Sequence, residues 1–180
     1  MEFQQRKHIR LKDYDYSQAG MYFVTICTRG RKKLLAEIDV PRDDGTKIVG
    51  RDDLGAPPVR VTLTPVGKIV ERHLNTISEA YPWVTVEHKV IMPNHVHILL
   101  WFHETEKRRA ESSRPTQLLP RIIAAWKRFT NRDAGYNLWQ SGYHDHIIRG
   151  ENDFLTRWTY IETNPARWPD DEYYQPGGPI

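Results

Sequence analysis

Two histidines lie in an apolar segment near the middle of the chain. Residues 92–100 read MPNHVHILL, with His95 and His97 separated by Val96. Side chains alternate between the two faces of a strand, so a strand here would project both imidazoles from one face. Such a pair makes a metal site that leaves coordination positions open, as a catalytic metal requires. A bare His-x-His motif is more often structural, and these histidines could simply pack or form hydrogen bonds.

A second group of candidate residues lies near the end of the chain, in residues 152–165. Its helical spacing predicts a buried stripe made of Phe154, Trp158 and Ile161. Tyr160 and Asn164 are four residues apart and share a different face. If that face meets the histidines, Asn164 could be a third metal ligand and Tyr160 a nucleophile beside the metal. Because Pro165 disfavours helical backbone in the residue before it, we expect the helix to end at Asn164. In the alternative interpretation, Tyr160 is an ordinary residue of an amphipathic helix.

The periodicity of the remaining sequence predicts the elements that must position these groups. A helix is predicted to begin at Pro65, with Thr64 as its N-cap. Residues 39–58 are rich in glycine, proline and aspartate, which is typical of a loop insertion or a weak hairpin. Strands are predicted at residues 22–28, 59–64, 83–90, 95–102 and 144–148, and helices at residues 65–80, 118–130 and 152–163. This order predicts an α+β fold with helices packed against an antiparallel sheet.

Length and composition exclude several classes of protein. The chain has 180 residues, 39% of them hydrophobic, which suits a single domain spanning residues 1–180 with a short tail at 169–180. No segment approaches the roughly 20 apolar residues of a membrane span. The first residues are charged and carry no secretion signal. With Cys27 as the one cysteine, no intrachain disulfide can form, so we expect a cytoplasmic protein.

Basic residues are distributed unevenly. The formal net charge is +3, yet residues 1–33 alone carry eight Lys or Arg against three Asp or Glu, and residues 121–132 carry four without an acid. Aromatic residues lie among these basic positions, a pattern typical of nucleic-acid binding. An ordinary solvated surface is the alternative. The candidate DNA-binding residues are Arg6, Lys7, Arg10, Lys12, Arg121, Lys127, Arg128 and Arg132.

Four ordered segments give the chain a resemblance to a known family. They are residues 93–100 (PNHVHILL), 119–132 (LPRIIAAWKRFTNR), 138–154 (LWQSGYHDHIIRGENDF) and 160–168 (YIETNPARW). In this order they resemble the REP-associated tyrosine transposases, which are related to the single-tyrosine insertion-sequence transposases of the HUH endonuclease superfamily. The similarity runs over nearly the whole chain.

The resemblance implies a ferredoxin-like or RRM-like sheet, a Mg²⁺ or Mn²⁺ site, and cleavage of single-stranded DNA through a covalent 5'-phosphotyrosine. It implies that His95 and His97 bind the metal, that Tyr160 is the nucleophile, and that Asn164 is a further ligand where the insertion-sequence branch often has glutamine. Expected partners are single strands that form REP-like hairpins. Residues 39–58 depart from a minimal family member.

Three functions remain open at this stage. The first is a transposase that cleaves and rejoins hairpin-forming DNA, acting as a monomer or a homodimer near the bacterial nucleoid. The second is a non-catalytic binder of single-stranded or hairpin DNA on the same fold. The third is a metal-dependent hydrolase that uses water, with Tyr160 only in the wall of the site. A second pair, His144 and His146, is predicted to be structural or to face DNA, because Asp145 points the opposite way.

Overall fold

A computed structural model describes residues 14–39, 59–104 and 117–174. No helix within these ranges is long and apolar enough to cross a membrane. The strands are β1 (Gly20–Cys27), β2 (Ala36–Asp39), β3 (Arg60–Leu63), β4 (Val84–Ile91), β5 (His95–Phe102) and β6 (His144–Ile147). The helices are α1 (Pro65–Asn75), α2 (Ile77–Ala80), α3 (Leu118–Ala134) and α4 (Glu151–Thr163). Short 3-10 helices follow β1 and α4, at Arg29–Arg31 and Pro165–Asp170.

The main sheet is antiparallel and has four strands in the order β4, β5, β1, β6. With α1 between β1 and β4, and α3 between β5 and β6, this is the βαββαβ arrangement of ferredoxin-like folds. The central pair, β1 and β5, places Cys27 opposite His95 and Thr25 opposite His97. The predicted α+β fold with its ferredoxin-like sheet is therefore confirmed, and the histidines lie on a central strand.

One face of the sheet forms the main hydrophobic core with α1 and α3. Alternate residues of β5, beginning at Val96, point into this core together with the alternate set of β1 that begins at Tyr22. The start of α1 follows its predicted signals: the Thr64 side chain accepts a hydrogen bond from the Gly67 N–H at 3.0 Å, and Pro65 occupies the first turn. The predicted helix over 65–80 is divided at Thr76 into α1 and α2.

The opposite face of the sheet is covered by α4. Ile161 packs there against Phe23 and Leu99, with Trp158 beside them. Helix α4 ends at Thr163 with Asn164 as its C-cap, as expected, but the expectation that Pro165 would pull Asn164 out of helical geometry is wrong, because Asn164 has φ −56° and ψ −42° and its N–H reaches the Tyr160 carbonyl at 3.0 Å. Pro165 starts the next 3-10 helix, where its missing N–H costs no hydrogen bond.

The predicted strand at 59–64 forms as β3 but lies outside the main sheet. It pairs with β2 in a separate two-stranded sheet, and β2 was not predicted. The predicted loop insertion at 39–58 falls outside the described residues except for residue 39, which ends β2.

A close approach between α1 and the residue before β2 gives a stability prediction. Gly67 lies in the first turn of α1 directly against the backbone of Leu35, and a Cβ there would overlap with the Leu35 carbonyl oxygen. We expect Gly67→Ala to lower the free energy of unfolding by about 1–3 kcal/mol, although alanine favours helices. Urea denaturation measures the change.

The matched control is Gly142→Ala, since a Cβ at Gly142 would meet nothing within 4 Å. Equal stabilities for the two variants would contradict the close approach of α1 to Leu35.

Candidate active site

The two predicted histidines project side by side from β5 toward α4. Both are fully buried, with exposures of 0% for His95 and 1% for His97. Their Nε2 atoms lie 3.0 Å apart, so the two rings converge on one point. Alternation along β5 gives both side chains the same face, as the sequence predicts.

Asn94 fixes the tautomer of His95. The Asn94 Nδ2 donates to two backbone carbonyls, that of Tyr173 at 2.7 Å and that of Arg31 at 3.2 Å. The Asn94 Oδ1 is therefore the atom that faces the His95 Nδ1, at 2.8 Å. An amide oxygen can only accept, so the His95 Nδ1 carries the proton and its Nε2 presents a lone pair.

Thr25 plays the corresponding part for His97. Its hydroxyl lies 2.8 Å from the His97 Nδ1. A hydroxyl both donates and accepts, so Thr25 can serve either tautomer of this ring. In the absence of a cation, a proton on the His97 Nε2 can be donated to the His95 Nε2. With that proton on Nδ1 instead, both Nε2 lone pairs face the same point.

Burial keeps both imidazoles neutral. The pKa of His95 is lowered from 6.5 to about 3, first by burial and then by the positive charge of Arg31. The pKa of His97 is also lowered well below 6.5, first by burial and then by His95 and Arg157. Neutral imidazoles are the form that binds metals, so the pair is ready to act as ligands at neutral pH.

Helix α4 brings Tyr160 to this pair. The Tyr160 ring meets the His97 ring edge to face at a centroid distance of 5.0 Å. The Phe23 ring of β1 contacts both of these rings. The pKa of the half-buried Tyr160 is raised above 10, first by burial and then by the charges of Asp171 and Glu172. Asn164 and Arg157 act on that pKa in the opposite direction. The phenol is therefore protonated at neutral pH.

Asn164 lies one turn after Tyr160 and is 2% exposed. Its Nδ2 donates to the Asp171 carboxylate at 3.1 Å, which fixes the orientation of the amide. The Asn164 Oδ1 is buried and has no hydrogen-bond partner. A buried acceptor without a partner costs free energy, so a ligand that this oxygen can bind would relieve the cost.

These donors fit the cation that the resemblance implies. Adjacent ligands of an octahedral cation, each about 2.1 Å from it, lie about 3 Å apart, which is the separation of the two Nε2 atoms. The Asn164 oxygen is buried, has no hydrogen-bond partner and has the chemistry of a further ligand. Within the described ranges, no three His, Cys, Asp or Glu side chains converge on a metal position. A cation bound here would therefore combine imidazole and amide ligands with ligands from outside the protein.

The segment after α4 covers the histidines from the other side. Tyr173 is buried with its ring centroid 4.6 Å from that of His95, and the Asp171 carboxylate accepts from the Tyr173 N–H. Beside Tyr160 and Asn164 lies a cleft of about 580 Å³. Its other lining residues are Thr163, Arg167, Asp170, Asp171 and Glu172.

The predicted DNA-binding residues on α3 lie apart from this site, on the helix that covers the other face of the sheet. Arg128 and Arg132 hold their guanidinium groups over the ring of the exposed Phe129, at 4.9 and 5.2 Å from its centroid. Arg121 is exposed. The Lys127 ammonium donates to the carbonyls of Gln140 and Gly142, so it also fastens the loop before β6. The other four, Arg6, Lys7, Arg10 and Lys12, lie outside the described residues.

Several functional neighbours have no counterpart in the sequence predictions. Asn94 is not among the predicted site residues, although its position directly before the first histidine is the signal that could have found it. Phe23 lies opposite Leu99 on the site face of β1, a pairing that no local pattern in the sequence shows. The positions of Asp171 and Tyr173 follow from the path of the chain after α4 and carry no local signal. His146 was predicted to be structural or to face DNA; its Nε2 lies 2.8 Å from the Asp153 carboxylate, a contact that favours the structural interpretation.

The sequence is similar to two proteins of Haemophilus influenzae. No family model matches the chain. An uncharacterized protein of Haemophilus influenzae is 28% identical over 187 residues, which cover 94% of this chain and 93% of that protein. A second Haemophilus influenzae protein, named as a REP-associated tyrosine transposase, is 24% identical over 111 residues, covering 54% of this chain and 62% of that one.

A solved structure matches the fold. It is a REP-associated tyrosine transposase bound to a REP hairpin, with a TM-score of 0.59 and 18% identity over 88% of this chain and 73% of that one. The chain resembles the REP-associated tyrosine transposases in sequence and in fold. The resemblance indicated by the four motifs is thus confirmed, and the ferredoxin-like fold that it implies is the one observed.

The buried imidazoles give a pH prediction for the cation-free protein. Both pKa values are lower in the folded state than the unfolded value near 6.5, so the unfolded chain binds more protons at mildly acidic pH. With EDTA present, the free energy of unfolding should fall as the pH drops below 6.5, by up to about 1.4 kcal/mol per pH unit for each histidine. Urea unfolding between pH 7 and pH 5 measures this slope.

The variant His97→Gln should reduce the slope, and His144→Gln, at an exposed position, should retain it. Identical slopes in all three proteins would contradict the neutrality of the buried pair.

Proposed function

We propose that this protein is a metal-dependent transposase that cleaves and rejoins single-stranded DNA at hairpin-forming, REP-like sequences through a phosphotyrosine. The observation that carries the proposal is the meeting of a neutral, convergent histidine pair with the Tyr160 ring, 5.0 Å from that of His97. A nucleophile beside a cation position is what phosphoryl transfer by a phenol requires. The similarity to transposases supports the same class of reaction.

The proposed step exchanges one phosphate ester for another. The Tyr160 oxygen forms a bond to the scissile phosphorus, and the bond from phosphorus to the 3'-oxygen breaks. The phenol loses its proton, and the departing 3'-oxygen gains one as a hydroxyl. The 5'-phosphate stays on Tyr160, and attack by a 3'-hydroxyl on this ester reverses the step and joins strands. Because an ester replaces an ester, no nucleotide cofactor is required.

His95, His97 and Asn164 would hold a divalent cation, Mg²⁺ or Mn²⁺. When bound, this cation supplies a positive charge that polarises the scissile phosphate and offsets the charge developing on it. Because all three ligands are neutral, the full charge remains available to the substrate. The protein's own contribution is to place Tyr160 and to keep the imidazoles unprotonated.

Hairpin DNA is the proposed partner. The solved relative is bound to a REP hairpin, which supports the same ligand class for this chain. Arg121, Arg128 and Arg132 present positive charge on α3, and Lys127 joins them where its loop contacts allow. Arg6, Lys7, Arg10 and Lys12 are proposed DNA-binding residues from the sequence alone, because they lie outside the described part of the chain. Phosphate contacts of this kind supply affinity but carry no sequence information.

A covalent trapping experiment tests the nucleophile. Labelled single-stranded hairpins with varied flanks are incubated with the protein in Mn²⁺ or in EDTA, and the products are resolved on a denaturing gel. We expect a protein–DNA adduct in Mn²⁺ only, and we expect Tyr160→Phe to abolish it, because the phenol oxygen is the atom that bonds to phosphorus. Tyr136→Phe removes the hydroxyl of an exposed tyrosine elsewhere and is the matched control.

Tyr173→Phe completes the set, because Tyr173 also packs on the histidine pair. An adduct that survives in Tyr160→Phe and disappears in Tyr173→Phe would show that Tyr173, and not Tyr160, is the nucleophile. Cleavage without any adduct would favour a hydrolase that uses water. Hairpin binding without cleavage in any metal would favour the non-catalytic binder.

Cation binding gives a separate prediction that needs no DNA. Asp171 orients the Asn164 amide so that its oxygen stays free, and outer partners of this kind typically change metal affinity by about 10–100-fold. We expect Asp171→Ala to weaken Mn²⁺ binding by at least about tenfold, measured by electron paramagnetic resonance titration. Asp170→Ala removes the same charge from an exposed residue of the same cleft and should bind Mn²⁺ as the wild type does. If both variants weakened Mn²⁺ binding equally, the effect would come from the loss of a negative charge near the site and not from the contact between Asp171 and Asn164.

A further inference from the structure

Arg157 lies one turn before Tyr160 on α4 and shares its surroundings. The Arg157 guanidinium carbon lies 5.4 Å from the centroid of the Phe23 ring. The same ring stacks on His97 at 5.2 Å and meets Tyr160 edge to face at 5.9 Å. Phe23 is therefore a common neighbour that places a guanidinium, an imidazole and a phenol around one aromatic side chain.

The hydrogen-bonding capacity of Arg157 is largely unused. Its Nε lies 3.6 Å from the Asp153 Oδ1, and this buried nitrogen has no hydrogen-bond partner. The Asp153 carboxylate already receives the His146 ring at 2.8 Å and the Arg149 N–H at 2.9 Å. Asp153 thus positions the guanidinium without saturating it. The Arg157 side chain is 33% exposed, so a ligand can reach it from solvent.

The charge of Arg157 reaches the reacting groups. Arg157 lies one turn before Tyr160 on α4, and its guanidinium shares the Phe23 ring with His97 and Tyr160, which places positive charge beside the phenol. The side chains of His95, His97 and Asn164 contribute no charge of their own. A guanidinium offers paired donors that match the oxygens of a phosphate, and Arg157 is held at the Tyr160 end of the histidine pair.

We propose that Arg157 binds a non-bridging oxygen of the phosphodiester that Tyr160 attacks. The inference rests on the proposed function and adds a phosphate-binding residue to it. The guanidinium would orient the phosphorus toward the phenol oxygen and stabilise the charge that grows on the phosphate during attack. A purely structural role, in which Arg157 only packs on Phe23 and pairs with Asp153, makes different predictions for the variants below.

Single-turnover adduct formation in Mn²⁺ tests the proposal on a cleavable hairpin. We expect Arg157→Gln to slow adduct formation by about 10²–10³-fold, the usual loss for one donor to a developing charge, while the affinity for the hairpin changes by less than about threefold. Arg157→Lys should recover part of the rate, because the positive charge remains without the paired donors. Arg60→Gln removes an arginine exposed on β3 in the two-stranded sheet and should react at the wild-type rate.

A neutral phosphate separates contact from structure. The scissile phosphodiester is replaced by each methylphosphonate diastereomer, which removes one non-bridging oxygen and the negative charge. If Arg157 binds that oxygen, the contact is already lost on one diastereomer. The fold-loss in adduct-formation rate caused by Arg157→Gln should then be less than about a tenth as large on that diastereomer as on the natural phosphate. A merely structural Arg157 would give the same fold-loss on all three substrates, and that result would overturn the inference.

The two proposals fail in different ways. A wild-type protein that forms no adduct with any hairpin would overturn the proposed function. A wild type that forms the adduct, with Arg157→Gln reacting as fast as Arg60→Gln, would overturn the role of Arg157 and leave the function intact. Loss of folding in Arg157→Gln, seen as loss of cooperative urea unfolding, leaves the decision to Arg157→Lys on the same three substrates.

Discussion

The site depends on burying two imidazoles side by side without a charge on either. Taking a charged imidazole into the sheet would be costly, so both rings stay neutral and each ring nitrogen needs a partner. Asn94 and Thr25 supply the outer bonds, and the inner nitrogens can satisfy only each other or a cation. The hydrogen bonds of Asn94 to the Tyr173 and Arg31 carbonyls extend this requirement to the chain after α4 and to the turn after β1.

Successive side chains of each strand point to opposite faces of the sheet, so one face forms the main core and the other face forms the candidate site. On β1, Tyr22 and Val24 enter the core with α1 and α3, whereas Phe23 and Thr25 between them face the histidines. The main core can therefore be wholly apolar while the opposite face carries polar groups. Within the described part of the chain, α4 and the segment after it cover that second face, and the apolar contacts of α4 with Phe23 and Leu99 hold Tyr160 against His97.

What the sequence predicts is what local periodicity determines. The shared face of His95 and His97 and the four-residue spacing of Tyr160 and Asn164 follow from strand and helix geometry alone. The backbone of Asn164 was predicted wrongly because the rule for residues before proline describes isolated preference, and here the chain continues directly into a second helix. Asp171 and Arg157 gain their significance from contacts with other elements, which no spacing reports. The same limit explains why β3 was predicted but its place outside the main sheet was not.

Under the proposed function, the charges around Tyr160 favour a phenol that would react only when substrate and cation are present. Burial, Asp171 and Glu172 hold its proton in place, and Arg157 and Asn164 oppose them without reversing the direction. A phosphodiester entering the site adds negative charge, which by itself would raise the pKa of the Tyr160 phenol further. Positive charge must therefore arrive with the substrate for the phenol to attack, and the neutral ligands leave that charge undiminished. Under the proposed function, the Asp171 carboxylate would have two opposing effects: it would hold the Asn164 oxygen ready as a ligand, and it would restrain Tyr160 until the proposed cation is bound.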